Sequence, residues 1–151
     1  MSKSTLIRNA HVVNEGAVTV SDVLIVGDRI AKIGKGLDAE GAEVIDATGF
    51  WLMPGIIDDQ VHFREPGLTH KADLSTETKA AAAGGVTSFM EMPNTVPQAL
   101  TQQLLQVKYE RAAEVSAVNY SFFMGASNNN LDEVLKTCLL YTSPSPRDWL
   151  Q

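Results

Sequence analysis

From Thr5 to Val13 apolar and polar residues partly alternate, and a second apolar run extends from Val18 to Ile33, broken once at Gly27-Asp28. Val23-Leu24-Ile25-Val26 and Arg29-Ile30-Ala31-Lys32-Ile33 read as the arms of a hairpin, because β-branched residues suit a pleated surface and Gly-Asp supplies the turn. A short strand, Glu43-Val44-Ile45-Asp46, follows. Residues 1–52 therefore predict a small antiparallel β module with no helix signal and no chemistry of its own.

The period changes after Met53-Pro54-Gly55. A helix is predicted from Asp73 to Ala83, with Asp73 accepting from first-turn N–H groups and Gly84 leaving the helix in the left-handed conformation. Val86 to Met90 reads as a buried strand, Thr101 to Val115 as a helix with Leu104, Leu105, Ala112 and Ala113 as its apolar stripe, and Val118 to Met124 as the next strand. Asn130-Leu131-Asp132-Glu133 opens a third helix, with Asn130 as cap and Glu133 completing a capping box. This β-α-β-α-β-α order over residues 53–136 predicts an α/β fold with a parallel sheet and crossover helices. Residues 137–151 break the pattern. Their Ser-Pro steps disfavour helix at each preceding residue, and the segment reads as a disordered terminus or as a non-native tail with no function.

Composition narrows the function classes. The 151 residues hold 18 acidic and 12 basic side chains, a formal net charge of -6. The basic residues are scattered singly, which argues against nucleic acid as a partner. Cys138 is the one cysteine and cannot form an internal disulfide, so a reducing, cytoplasmic location is expected. No apolar run reaches the roughly 18 residues that a membrane helix requires, so no membrane association is expected.

Polar residues of functional type concentrate in Asp58-Asp59-Gln60-Val61-His62-Phe63-Arg64-Glu65-Pro66-Gly67, directly after an apolar strand start. Alternation along a strand would put Gln60, His62 and Arg64 on one face, while the adjacent Asp58 and Asp59 face opposite sides and cannot act together on one bond. A neutral imidazole is a common zinc ligand, and the planar guanidinium of Arg64 suits a carboxylate. Taken singly, such a His is more often structural and such an Arg a surface ion-pair member. Followed by Glu-Pro-Gly they form a specific pattern. A second polar group, Glu91-Met92-Pro93-Asn94-Thr95, ends the next strand, where the Asn94 amide can donate to a substrate oxygen or stabilise its own turn. Gly84-Gly85 lacks the Lys-Ser/Thr of a phosphate loop, so a nucleotide site is excluded there. His11 and His70 have no companions at ligand spacing.

Met53-Pro54-Gly55-Ile56-Ile57-Asp58, His62-Phe63-Arg64-Glu65-Pro66-Gly67 and Met92-Pro93-Asn94-Thr95 together resemble dihydroorotases of the amidohydrolase superfamily, over about Ser2 to Lys136. The resemblance implies the first three strand–helix units of a (β/α)8 TIM barrel, preceded by strands of a small β-sandwich. It implies a zinc-dependent cyclic amidohydrolase of pyrimidine biosynthesis, which converts L-dihydroorotate and N-carbamoyl-L-aspartate reversibly through zinc-activated hydroxide. By position, His62 is similar to the second histidine of the family's metal arm, and Arg64 and Asn94 to the pair that holds the substrate carboxylate. Gln60 stands where the family carries the first metal histidine, and its neutral amide oxygen is a weaker zinc donor than imidazole. The resemblance implies one or two Zn2+ per subunit in a full-length parent, a small-molecule substrate and a possible homo-oligomer. No catalytic residue is assigned within this chain, which is expected to be inactive alone. An allantoinase-like cyclic amidase, or a non-catalytic dihydroorotase-like assembly partner that Gln60 would suit, are the alternative readings.

Overall fold

β1 (Ser4–Asn14) runs antiparallel to β2 (Ala17–Val26) across Glu15 and Gly16, and β2 runs antiparallel to β3 (Arg29–Gly34) across Gly27-Asp28. The second hairpin is the one the hydrophobic pattern predicts. The first was hidden because its tight turn puts Glu15 at φ 49° before Gly16 at 74°, and glutamate is not a residue that announces positive φ. β4 (Glu43–Asp46) and β5 (Trp51–Leu52) both pair with β1 in parallel, giving one sheet in the order β3-β2-β1-β4 with β5 also on β1. The expected antiparallel module is thus a mixed sheet. Periodicity reveals a strand but not the direction of its partner, and here the chain returns past β3 and β2 to the far side of β1. The computed structural model describes residues 3–140 and divides them into two units at Pro54/Gly55.

Leu6, Ala10 and Val23 form the buried centre of the first unit. Between Ile7 and Ala10 the register of β1 against β2 shifts, and Asn9 takes φ 60°. The buried Asp22 carboxylate accepts from the Asn9 N–H and the Leu37 N–H, both at 2.9 Å, so it satisfies the backbone that the irregularity releases. His11 stacks on Trp51 with ring centroids 5.7 Å apart, which makes it a packing residue of this sheet.

The second unit has the β-α-β-α-β-α order that the sequence predicts. β6 (Ile56–Val61), β7 (Val86–Glu91) and β8 (Asn119–Phe122) form a parallel sheet in that order, with α1 (Leu74–Ala83) and α2 (Gln102–Val115) as the connections and α3 (Leu131–Leu140) after β8. Leu74, Phe89, Ala99, Leu105, Ala112 and Phe122 make its core, with Phe63 and Tyr120 packed against Phe89. Asp73 caps α1 as expected, accepting from Thr76 N–H at 2.9 Å, and Thr101 caps α2 through its hydroxyl.

Five details depart from expectation. Gly84 remains right-handed at φ -84°, and Gly85, at φ 86°, is the residue that turns the chain into β7. The buried positions of α2 are Leu105, Lys108 and Ala112, while Ala113 is exposed. Asn130 directly precedes α3 and its carbonyl accepts from the N–H groups of Glu133 and Val134, but its side chain does not cap the helix: its Oδ1 accepts from the N–H and hydroxyl of Ser127, and its amide donates to Leu100 O and Gly125 O. Glu133 reaches instead to the N–H of Gln102 at 2.8 Å, so it serves the N-terminus of α2 rather than that of α3. α3 also continues past Lys136 to Leu140, and the rest of the expected tail, 141–151, lies outside the described residues. Among the described residues no helix is long and apolar enough to cross a membrane.

Candidate active site

Because β6, β7 and β8 are parallel, their C-terminal ends lie on one edge of the sheet, and the segments beginning at His62, Met92 and Phe123 leave from that edge. The ladder continues past the strand ends through Met92 N–H to Val61 O at 3.0 Å and Phe123 N–H to Glu91 O at 2.9 Å. This is the edge at which parallel α/β sheets place their ligands.

The structure brings His62 and Asn94 together: Nδ1 of His62 lies 2.9 Å from Oδ1 of Asn94. With Oδ1 as the acceptor, the contact is made by an imidazole whose Nδ1 bears hydrogen; in the neutral tautomer that fits, Nε2 holds the lone pair, and the contact uses neither N–H of the Asn94 amide. The Asn94 side chain thus engages His62 instead of merely closing its own turn.

Arg64 sits on the same segment but not by strand alternation. β6 ends at Val61, its register against β7 shifts between Asp58 and Val61, and Arg64 takes φ 69°. The face-sharing expected of Gln60, His62 and Arg64 assumed a regular strand, and this segment is irregular. Asp58 Oδ1 accepts from the Gln60 N–H at 3.1 Å within that irregularity. One consequence is that the adjacent Asp59 and Gln60 both line a cleft of about 440 Å3 with Met92, Pro93, Phe123 and Met124. His62, Arg64 and Asn94 lie outside the residues lining that cleft. The Arg64 guanidinium has no hydrogen bond or ion pair among the described residues.

Arg64 is placed through its backbone. Its N–H donates to Glu91 Oε1 at 3.0 Å, and the other oxygen of Glu91 lies 3.0 Å from Lys108 Nζ. Both side chains are 1% exposed. Lys108 Nζ donates to Met92 O at 3.3 Å and lies 4.9 Å from the centroid of the Phe122 ring. Burial raises the Glu91 carboxyl and lowers the Lys108 ammonium, each opposed by the charge of the other. In the sequence Glu91 opens the second polar group with no role of its own, and Lys108 is not apparent as functional. The available signal was a lysine at the i+3 position of the buried row Leu105, Lys108, Ala112.

Two further contacts dock the segment after β6. Val96 N–H donates to Pro66 O at 3.1 Å, and Gly67 approaches the Val96 carbonyl so closely that no Cβ fits between them. Glu65 is structural: Oε2 accepts from the Leu74 N–H at the start of α1, and Oε1 from Arg111 Nε of α2 at 2.7 Å. His70 is an exposed turn residue outside these contacts.

The dihydroorotase-like family model matches residues 49–137, which include His62, Arg64 and Asn94. The chain is 46% identical over 111 residues to a dihydroorotase of Streptococcus thermophilus, an overlap of 72% of this chain and 26% of that protein. It is 36% identical over 135 residues to an allantoinase of Deinococcus radiodurans, covering 89% of this chain and 30% of the relative. Its fold superimposes on an L-hydantoinase (dihydropyrimidinase) from Arthrobacter aurescens with a TM-score of 0.85 at 28% identity, covering 93% of this chain and 31% of the other. A dihydropyrimidinase from Brevibacillus agri aligns with a TM-score of 0.76 at 34% identity, over 90% and 30% of the two chains. The chain therefore spans between about a quarter and a third of the length of these relatives. Since residues 49–137 are more than half of the 151, the chain belongs to the dihydroorotase-like family.

Proposed function

We propose that this chain is the N-terminal part of a cyclic amidohydrolase that interconverts L-dihydroorotate and N-carbamoyl-L-aspartate. In this reading β6 to β8 and their helices are the first three units of a (β/α)8 barrel, and the strands before Met53 belong to a small β-sandwich. The observation that carries it is the His62–Asn94 contact at the C-terminal edge of the sheet. That contact uses the Asn94 oxygen and leaves its two N–H donors for an anion. The guanidinium of Arg64 adds a planar fork of donors that matches a carboxylate bidentately. Both substrates carry a carboxylate, and an Arg–Asn pair orients it without needing a charge from the reacting amide.

Zinc is a separate matter. When bound, zinc polarises a carbonyl and lowers the pKa of a coordinated water. A catalytic zinc takes about three protein ligands, and no cluster of three His, Cys, Asp or Glu side chains occurs among the described residues. His62 offers Nε2 as one nitrogen donor, oriented from Nδ1 by Asn94 as metal-binding imidazoles are oriented by an outer partner. Gln60 offers only an amide oxygen. The described residues do not by themselves make a zinc site, and zinc enters the proposal only for the protein at its full natural length, with His62 as one donor.

The 36% identity to an allantoinase over 89% of this chain favours a second reading, hydrolysis of an uncharged ring. Assaying the protein at its full natural length on dihydroorotate, N-carbamoyl-L-aspartate and allantoin separates the two. Turnover of the carboxylate-bearing pair, with Arg64→Met raising KM, supports the proposal; turnover of allantoin alone overturns it in favour of the second reading.

A further inference from the structure

The buried Glu91–Lys108 pair is not accounted for by stability. A buried ion pair costs its desolvation, and replacing both partners by apolar residues of similar volume is often neutral or favourable. The contact is a charge contact rather than an aligned hydrogen bond, since Glu91 Oε2 has no aligned donor among the described residues. What an apolar pair would lack is connectivity. One carboxylate accepts from the backbone N–H of Arg64, with that of Phe63 also directed at it, and holds the Lys108 ammonium. The ammonium in turn donates to the carbonyl of Met92, two residues before Asn94. A single buried unit therefore grips the segment that carries His62 and Arg64 and the segment that carries Asn94.

We propose that Glu91 and Lys108 are positioning residues, which set the register of the His62–Arg64 segment against the Met92–Asn94 segment and so form the His62–Asn94 contact and aim Arg64. The geometry excludes a catalytic role for either, because both side chains are buried beneath the segments they hold. Arg64 at φ 69° shows why a grip is needed: a non-glycine residue pays to adopt that conformation and keeps it only where its surroundings dictate it. The Glu91 carboxylate on the Arg64 N–H supplies that constraint.

This inference rests on the proposed roles of His62, Arg64 and Asn94, but its test needs no substrate. The protein at its full natural length is labelled with 15N at His and Arg and kept in chelator. Long-range 15N–1H spectra read the His62 tautomer, and hydrogen exchange reads the Arg64 amide. In the wild type we expect one tautomer with the proton on Nδ1, and an Arg64 amide slowed by about tenfold or more relative to an open chain. In Glu91→Leu/Lys108→Met we expect a melt that stays cooperative with a midpoint close to that of the wild type, loss of the Arg64 protection and a mixture of His62 tautomers. A folded double variant that keeps the single tautomer shows a merely structural pair and overturns the proposal. So does a wild type whose Arg64 amide exchanges freely, a result that does not depend on any variant folding. Glu91→Asp, one methylene shorter, is expected to retain the fold and reproduce the tautomer mixture in part; full retention of the single tautomer there also counts against the proposal. Failure of the substrate assays with these spectra as expected would remove the dihydroorotase reading and leave the positioning role standing.

Discussion

Gly67 and Val96 meet backbone to backbone: a Cβ built on Gly67 would collide with the Val96 carbonyl, and the Val96 N–H donates to Pro66 O beside it. Two segments that leave different strands are held in contact by the absence of a single methyl group. Gly67 also has φ 82°, where a side chain is strained whatever the space.

Gly67→Ala therefore combines strain with overpacking, and each costs about 1–3 kcal/mol. Thermal unfolding of the variant is expected to show a lowered midpoint, and the His62–Asn94 contact should loosen with it. An unchanged melt would show that the Val96 segment yields at little cost.

Removing one member of the buried ion pair leaves the other charged and unpaired. Lys108→Met alone is expected to destabilise the protein by about 3–5 kcal/mol, and Glu91→Leu added to it to recover most of that loss. Urea unfolding of the two single variants and the double variant measures the coupling. Additive losses would mean that the two charges do not depend on each other.

The Asp22 carboxyl is held below the ordinary carboxylate range, first by the N–H of Asn9 and then by the N–H of Leu37. Its folded pKa lies below its unfolded one, so the unfolded chain binds more protons between the two values. The stabilisation is present above the unfolded value, near 4, and is lost as pH falls through the folded value. Asp22→Asn should lower stability at neutral pH and flatten the decline below about pH 4, as read by urea midpoints over a pH series. An equally steep decline in the variant would place the acid sensitivity elsewhere.

Gln60→His places a second imidazole two residues before His62. In the protein at its full natural length, cobalt affinity is expected to rise by about tenfold or more, worth about 1.4 kcal/mol. Equilibrium dialysis against Co2+ tests this, and no gain would mean that the irregular backbone at Asp58–Val61 points position 60 away from His62.

The pattern of hydrophobic and polar positions by itself determined the alternation of strand and helix after Met53, the cap at Asp73 and the hairpin at Gly27-Asp28. These are local, since a cap or a period depends on residues within a turn or two. It also marked His62, Arg64 and Asn94, because their types are unusual in company with Glu-Pro-Gly and Met-Pro. Only the tertiary structure decided the pairing of β4 with β1, the inward turn of Asn130, the loan of Glu133 to the neighbouring helix and the burial of Lys108. Each of these joins residues far apart in the chain, and no local period records which distant group will satisfy a donor or a charge. The site shows the same division. Sequence supplied its residue types, whereas the contact between His62 and Asn94 and the placement of Arg64 through Glu91 exist because parallel strands bring their ends to one edge.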